Sequence, residues 1–567
     1  MYIDNVPNRN SPPAILLRES YRDGKKVCKR TVVNITKWPK HVINGLKELL
    51  SGKTLVPQDG IVVIERTTPH GHVKAILGAI KQLELDTIIY SKPCRERNLV
   101  LAMIVERLIY PCSKLATTRV WHSTTLAEQL CVEDATEEEL YAAMDWLFVR
   151  QKKIENKLAK RHITEDSVVL YDTSSSYYEG RTCPLIAFGH NKDRKKGKQI
   201  IVYGVMTDSA GRPVAVDVYP GNTGDSTTAL DQVNKLRKRF KLSNIVLVGD
   251  RGMITQTKVD TLKEYPGIGW ISALKSKSIK ELINKKHLQL SLFDKKNLAE
   301  ISSPDYPGER LIACFNPLLA EERARKRSDL LEATEKKLKK IATQAERRTK
   351  KPLAKEQIGI KVGKIINQYK MGKHFNLTIK DSFIAWERKE NLIEQEAKQD
   401  GIYVIRTSEP KKKMSAENTV RNYKSLSLVE RVFRSLKGID ILVRPIHHRT
   451  VQRVKTHIFI CMLAYYVEWH MRKKLAPLLF DDEQLDEDRK VRDPVAPAKP
   501  SDSAKKKKKV RKTKDGFPIH SFDTLLIELG TLSRNRCKLK SSPESPSFYQ
   551  DTEIKPIQMK AFQLLDL

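Results

Sequence analysis

Ser167-Val168-Val169-Leu170-Tyr171-Asp172 and Asn244-Ile245-Val246-Leu247-Val248-Gly249-Asp250 are the two stretches on which the fold turns. Each is a short apolar run rich in β-branched residues, the pattern of a strand buried on both faces, and each leads to a carboxylate. Asp172 immediately follows the first run, and Asp250 lies two residues past the second. Between them, Gln199–Met206 and Pro213–Tyr219 read as strands joined by the turn Asp208-Ser209-Ala210-Gly211, hence an antiparallel hairpin. Ser226–Phe240 has helical spacing. Beyond Asp250, a helix over Ile254–Tyr265 and a fifth strand over Gly269–Leu274 complete the series. Three strands, a helix, a strand, a helix and a strand predict a mixed α/β core with helices covering a sheet. If the first and fourth strands are neighbours, Asp172 and Asp250 share one sheet edge. Such a pair repels and shifts each other's pKa unless a cation intervenes, and hard oxygen ligands suit Mg²⁺ or Mn²⁺. From spacing alone, two turn-forming aspartates explain the pattern equally well.

On the N-terminal side, Ile15–Tyr21, the turn Asp23-Gly24 and Val27–Val33 predict a β-hairpin. Helical periodicity follows over Asn98–Ile109 and Glu137–Leu158. On the C-terminal side, Leu319–Lys350 is dominated by Ala, Glu, Lys, Arg and Leu, which predicts a long charged helix stopped near Pro352. Gly401–Thr407 reads as a returning strand, and Ser427–Lys437 and Val451–Lys474 as helices. The last fifty residues resume apolar periodicity at Phe522, Leu525, Leu526 and Leu529.

The 567 residues carry a net charge of +36, which points to a polyanionic partner, DNA or RNA first, bound with salt-sensitive affinity. Hydrophobic residues at 40% are enough for sizeable cores. The eight cysteines are scattered without a C-x-x-C pair, which argues against structural zinc and a thioredoxin-like site, and reduced thiols are expected. The longest apolar run, Ile458–Val467, is too short to span a bilayer, and no apolar segment opens the chain, which predicts a soluble internal protein. Gly221–Ser226 lacks the lysine of a P-loop, and no G-x-S-x-G is present. His447, His448, His457 and His470 sit in apolar surroundings and read as satisfied core residues rather than ligands.

The third element lies far downstream. Glu430, Arg434 and Lys437 are i, i+4 and i+7, so one helical stripe presents a carboxylate beside two cations, with Val429, Val432, Phe433 and Leu436 on the apolar side. Alone, such a stripe is a solvated face. Taken together, Tyr171-Asp172-Thr173, Gly249-Asp250-Arg251-Gly252-Met253, and Tyr423 followed by Glu430 and Lys437 resemble the signatures of DDE transposases of bacterial insertion sequences, the group with a Tyr-Arg-Glu-Lys third motif. Arg444–Arg449 and Thr456–Cys461 extend the likeness, which covers most of Ser167–Trp469.

The resemblance implies an RNase H-like mixed-sheet core interrupted by a largely helical insertion. It implies Asp172, Asp250 and Glu430 as catalytic residues and ligands of two Mg²⁺ or Mn²⁺ ions, with Tyr423, Arg434 and Lys437 on DNA. The expected partners are double-stranded element ends and target DNA, bound by a homo-oligomer on paired ends, in a prokaryotic cytoplasm at the nucleoid. The corresponding domain reading is 1–163 as hairpin plus helical region for DNA-end binding, 164–275 and 401–475 as the two parts of the core, and 276–400 as the insertion. It leaves 476–515 as a charged linker, with Lys505–Lys512 either a nuclear signal or a basic strap on phosphates, and 516–567 as a helical segment. One departure stands out. The family arginine four residues before the Glu is Leu426 here, leaving Arg431 or Arg434 as candidate substitutes. A noncatalytic DNA-binding descendant and a metal-dependent nuclease without strand transfer are the rival readings.

Overall fold

The computed structural model describes residues 1–9, 11–53, 62–193, 195–294, 296–438, 440–539 and 546–567. They form two compact units: Met1–Pro69 with Ser533–Glu553, and His70–Leu532 with Ile554–Leu567.

In the smaller unit β1 (Tyr2–Val6), β2 (Ala14–Asp23) and β3 (Lys26–Asn34) make an antiparallel sheet in that order. The β2–β3 turn falls at Gly24, whose φ of +60° suits a residue without a Cβ. A helix over Lys40–Leu50 follows. Next, β4 (Val62–Pro69) pairs with a strand from the far end of the chain, Ser533–Leu539, which in turn pairs with Phe548–Asp551. Two sequence readings are corrected here. The region 1–163 divides at Pro69, and 516–567 is only partly helical. The signal was weak, since Ser533–Leu539 (SRNRCKL) alternates without apolar residues on its outer face.

The larger unit is built on one eight-stranded sheet. Its first five strands in chain order are β5 (Ser167–Tyr177), β6 (Ile200–Thr207), β7 (Pro213–Pro220), β8 (Ile245–Val248) and β9 (Ile268–Ala273). Strand β5 is antiparallel to β6, β6 to β7, and β5 is parallel to β8, which is parallel to β9. The resulting spatial order, third-second-first-fourth-fifth, is the RNase H-like arrangement, as the α/β reading anticipates. Strands β6 and β8 are buried along their whole length, which is why they read as unbroken apolar runs.

The insertion departs from the helical expectation. It supplies β10 (Leu298–Ile301) and β11 (Arg310–Phe315), and it holds a separate hairpin of β12 (Phe375–Lys380) and β13 (Phe383–Arg388). Strand β14 (Ile402–Thr407) returns between β11 and β9, so the sheet runs β10-β11-β14-β9-β8-β5-β6-β7. Arg406 of β14 holds Glu309 through two bonds of 2.7 and 2.6 Å, with both side chains buried. The long charged helix, Pro317–Arg347, dominates the composition of this segment and hides its short strands.

The helix Val451–Leu475 runs through the core against the helices Arg95–Ile109 and Glu137–Phe148 and against β7. Its apolar centre is satisfied by protein. Among the described residues no helix is long and apolar enough to cross a membrane. The stretch read as one helix over Glu137–Leu158 is two, Glu137–Phe148 and Gln151–His162.

Residues 476–515 are not a free linker. They carry helices Leu485–Val491 and Asp502–Val510. Lys507 of the basic run turns inward to the carbonyl of Ala476 at 2.9 Å, Asp482 accepts from the Ser501 hydroxyl at 2.6 Å, and Lys424 donates to the carbonyl of Val495 at 2.9 Å. These carbonyls and carboxylates, unreadable from composition, hold the segment on the core.

Candidate active site

The register of β5 and β8 brings the two aspartates together. Leu170 pairs with Val248 in parallel alignment, so Asp172 and Asp250 each stand two residues past the same rung of the sheet. Asp172 lies inside β5 rather than after it, because the strand continues to Tyr177 along β6. Burial pushes its carboxyl up to about 6. The negative charges of Asp250 and Asp225 add to that rise, against the nearby Lys192 ammonium and the Thr173 N–H, which the carboxylate accepts at 2.7 Å.

Asp225 and Lys192 are the residues that sequence reasoning missed here. The turn Gly221–Ser226 leads into a helix N-terminus, a place that suits an anion. Its Asp225, first residue of the helix Asp225–Asn234, instead supplies its own carboxylate to the helix N-terminus and accepts from the Thr173 hydroxyl at 2.6 Å. Lys192 reaches the carbonyl of Thr173 at 2.7 Å and stands 3.7 Å from Asp225. It arrives there because its loop folds back onto β5: the Ser175 hydroxyl donates to the carbonyl of His190 and accepts from the Lys192 N–H. Nothing in the local sequence marks that fold-back.

Tyr423 comes from the helix Ala416–Lys424, which ends at Ser425 just before the helix Leu426–Lys437 begins. Its ring packs on the core while its hydroxyl faces Asp250. Burial, and then the Asp250 carboxylate, push that hydroxyl well above the usual tyrosine range. Asp250, Arg251, Tyr423 and, from the insertion, Arg323 line one cavity of about 340 Å³. The Arg251 guanidinium acts on the Tyr423 hydroxyl from this side. Of the two substitutes considered for the family arginine, Arg431 is engaged with Asp481 at 2.9 Å and Arg434 is exposed.

The helix Leu426–Lys437 lies on β5 and β6 with Val429, Val432, Phe433 and Leu436 buried; Phe433 meets Tyr203 edge-on at 5.8 Å. The Ser435 hydroxyl donates to buried Glu468 of the long core helix at 2.5 Å, which fixes the rotation of the helix. At its N-terminal end Leu428 presses on Gly211, where a Cβ would stand 2.9 Å from that of Leu428. Lys437 closes the other end. Its ammonium donates to the carbonyl of Ser175 at 2.6 Å and pairs with Asp193 at 3.0 Å, with its side chain 14% exposed. Two of the three ammonium donors of Lys437, the residue expected from the stripe to hold DNA, are thus engaged within the protein. Burial lowers its pKa, with Asp193 acting against that fall.

Glu430 lies one turn from Arg434 and two from Lys437 on this helix and is exposed. Among the described residues no three His, Cys, Asp or Glu side chains cluster closely enough to hold a metal ion, so Glu430 does not join the two aspartates in a preformed triad. The donor set nevertheless suits a hard cation. Two carboxylates stand just past one rung, and burial and like charge raise the pKa of one of them, a cost that a divalent cation removes.

A family described as a transposase DDE domain matches residues 164–467, more than half of the sequence. The chain belongs to the DDE transposase family. No curated protein matches it. Among solved structures, a cryo-EM structure of the piggyBac transposase synaptic complex with hairpin DNA aligns at 10% identity and a TM-score of 0.33, over 81% of this chain and 77% of that one. As a DDE transposase, the chain carries within the matched span both aspartates, Tyr423 and the helix of Glu430 and Lys437.

Proposed function

We propose that this DDE transposase cleaves DNA at the ends of its own insertion sequence and joins the freed 3′-hydroxyls to target DNA, inside a prokaryotic cell and as an oligomer on paired ends. The observation that carries the reading is the register of two adjacent parallel strands, which sets Asp172 and Asp250 each two residues past the rung of Leu170 and Val248. Asp172 and Asp250 would hold Mg²⁺ or Mn²⁺, with Glu430 as third ligand once its helix and the DNA are engaged. When bound, such cations activate the attacking oxygen and stabilise the leaving one in an in-line displacement.

The remaining work falls to the chain's own groups. Tyr423 donates toward Asp250 and keeps that carboxylate oriented. Arg251 and Arg323, on the wall of the same cavity, present cations to a scissile phosphate and stand in for the arginine replaced by Leu426. Exposed Arg434 contacts the DNA backbone beside Glu430. Lys437 acts at one remove, anchoring the helix of Glu430 to the strand of Asp172.

The test uses purified protein and linear DNA carrying the gene's native flanks, with Mg²⁺, with EDTA and with Asp250→Ala. Breaks and joined products at fixed flank positions, dependent on metal and lost in the variant, are the expected result. Breaks without joined products would reduce the activity to that of a nuclease. Tight binding without breaks under every condition would leave a noncatalytic DNA-binding descendant.

A further inference from the structure

The outer half of the β2–β3 hairpin extends beyond β1, with the Lys29 ammonium 5.6 Å from the centre of the Tyr2 ring. Strand β1 covers β2 only from Ala14 to Arg18. From Ser20 to Asn34 every residue except Cys28 is exposed, so the hairpin tip is a two-stranded ribbon with solvent on both faces. Such a ribbon is marginal in water on its own, having no apolar face to bury. Its charges are sorted by face. Cross-strand pairing puts Glu19 with Arg30, Tyr21 with Cys28 and Asp23 with Lys26 on one side, so each carboxylate there is opposed by a cation, and Glu19 and Arg30 form an ion pair. The other side carries the pairs Ser20 with Lys29 and Arg22 with Val27. No carboxylate opposes either cation across the ribbon on that side, Lys25 adds a third at the tip, and Val27 is 63% exposed between them.

We infer that this face of the ribbon enters the major groove of the element-end DNA, with Arg22, Lys25 and Lys29 on phosphates and Val27 toward the base edges. The inference rests on the DNA transposase reading and names the element that would do the binding. Three arguments support it. A major groove about 12 Å wide admits a two-stranded β-ribbon. A ribbon with one neutralised and one cationic face is complementary to DNA on one side only. An exposed valine among cations matches the apolar contact that a thymine methyl offers. Nothing in the ribbon supplies the aromatic platform that single-stranded nucleic acid stacks on, since its one ring, Tyr21, lies on the neutralised face.

The test measures binding of the full-length protein to a native-flank duplex, a scrambled duplex and a single-stranded RNA of equal length, across a salt series. Arg22→Gln, Lys25→Gln and Lys29→Gln are combined in one variant, and Val27→Ser is made separately. All four positions are exposed, and melting curves verify folding. The triple variant is expected to lose at least about tenfold in affinity near physiological salt and to flatten the log–log salt slope by about 2–3, close to one phosphate per cation. Val27→Ser is expected to narrow the preference for flank over scrambled duplex several-fold with the slope unchanged. Wild-type affinity and slope in the folded triple variant would overturn the inference and return the ribbon to a charged, solvated edge that only blocks strand pairing. Tighter wild-type binding to the RNA would overturn it too. Asp250→Ala separates the two levels of the argument. If wild-type protein cuts the flanks, Asp250→Ala does not and the triple variant binds normally, the ribbon inference alone fails. If wild-type protein neither binds nor cuts flank DNA, the transposase reading fails with it.

Discussion

Lys437 donates to the carbonyl of Ser175, three residues beyond Asp172 on the same strand, at 2.6 Å, and so ties the helix of Glu430 to the strand of the first aspartate. Asp193, 2% exposed, takes the same ammonium at 3.0 Å and also pairs with Arg444. Burial alone would raise the Asp193 carboxyl, but Arg444 and Lys437 outweigh it and hold it below the usual carboxylate range. Two segments distant in sequence, around Asp193 and around Lys437 and Arg444, therefore meet on one carboxylate.

Lys437→Gln is expected to leave DNA affinity within about twofold and to lower the cleavage rate at saturating DNA by about 10–100-fold, an effect of about 1.4–2.7 kcal/mol on the barrier. It should cost about 1–3 kcal/mol of stability, since a buried carboxylate and carbonyl lose one donor while Arg444 remains. Single-turnover cleavage and urea unfolding measure the two effects separately, and Lys437→Arg should recover part of both. Weakened binding with an unchanged single-turnover rate would instead place Lys437 on DNA.

Tyr423→Phe removes only the hydroxyl facing Asp250. The ring keeps its packing, so unfolding should shift by no more than about 1 kcal/mol. Cleavage is expected to fall about tenfold, with end binding unchanged. If the variant bound DNA more weakly and cut the bound fraction at the normal rate, the hydroxyl would belong to a phosphate contact and not to the orientation of Asp250.

Much of this was legible from sequence, for definite reasons. Strands β5, β6 and β8 are buried on both faces, and their apolar runs stand out without any three-dimensional information. The charged helix Pro317–Arg347 and the Glu430 stripe follow from helical periodicity. The hidden parts depended on long-range partners. Strands β10 and β11 are short, and they gain their place from β14, about a hundred residues later. The inward turn of Lys437 depends on Asp193, and the exposed helical stripe gave no sign of it. Asp225 and Lys192 reach Asp172 only after a hairpin and a loop fold back. Periodicity reports which face of an element is buried. It does not report which charged side chain finds a partner across the sheet.

Asp172→Asn should separate electrostatic cost from function. The folded carboxyl titrates near 6, above its ordinary value of 3.8, so its stabilising effect is present below about pH 4 and is lost as pH rises through 6. At neutral pH without divalent cations, the variant should therefore melt no lower than wild type, while its cleavage is abolished. Mg²⁺ or Mn²⁺ should raise the wild-type melting temperature by mass action on the folded state and leave the variant nearly unmoved. An equal metal-induced shift in both proteins would mean that the cation sits elsewhere.

Glu106 offers a stability test far from that chemistry. It is 2% exposed on the helix Arg95–Ile109, and neither carboxyl oxygen has a hydrogen-bond partner among the described residues. Burial pushes it up to about 8, against the pull of Arg107 and Lys114; Lys114 itself is driven down to about 7 by burial. Because the folded pKa lies above the ordinary 4.5, the unfolded chain releases this proton first. Stability is then lost from about pH 4.5 until the folded group titrates near 8, at up to about 1.4 kcal/mol per pH unit. Glu106→Gln carries no such proton. The difference in urea midpoint between variant and wild type should be smallest near pH 4, grow in the variant's favour through pH 5, 6 and 7, and level off above pH 8. A difference that stayed constant across this range would mean that Glu106 holds its proton equally in the folded and unfolded chain, and that the pocket around it is open to water.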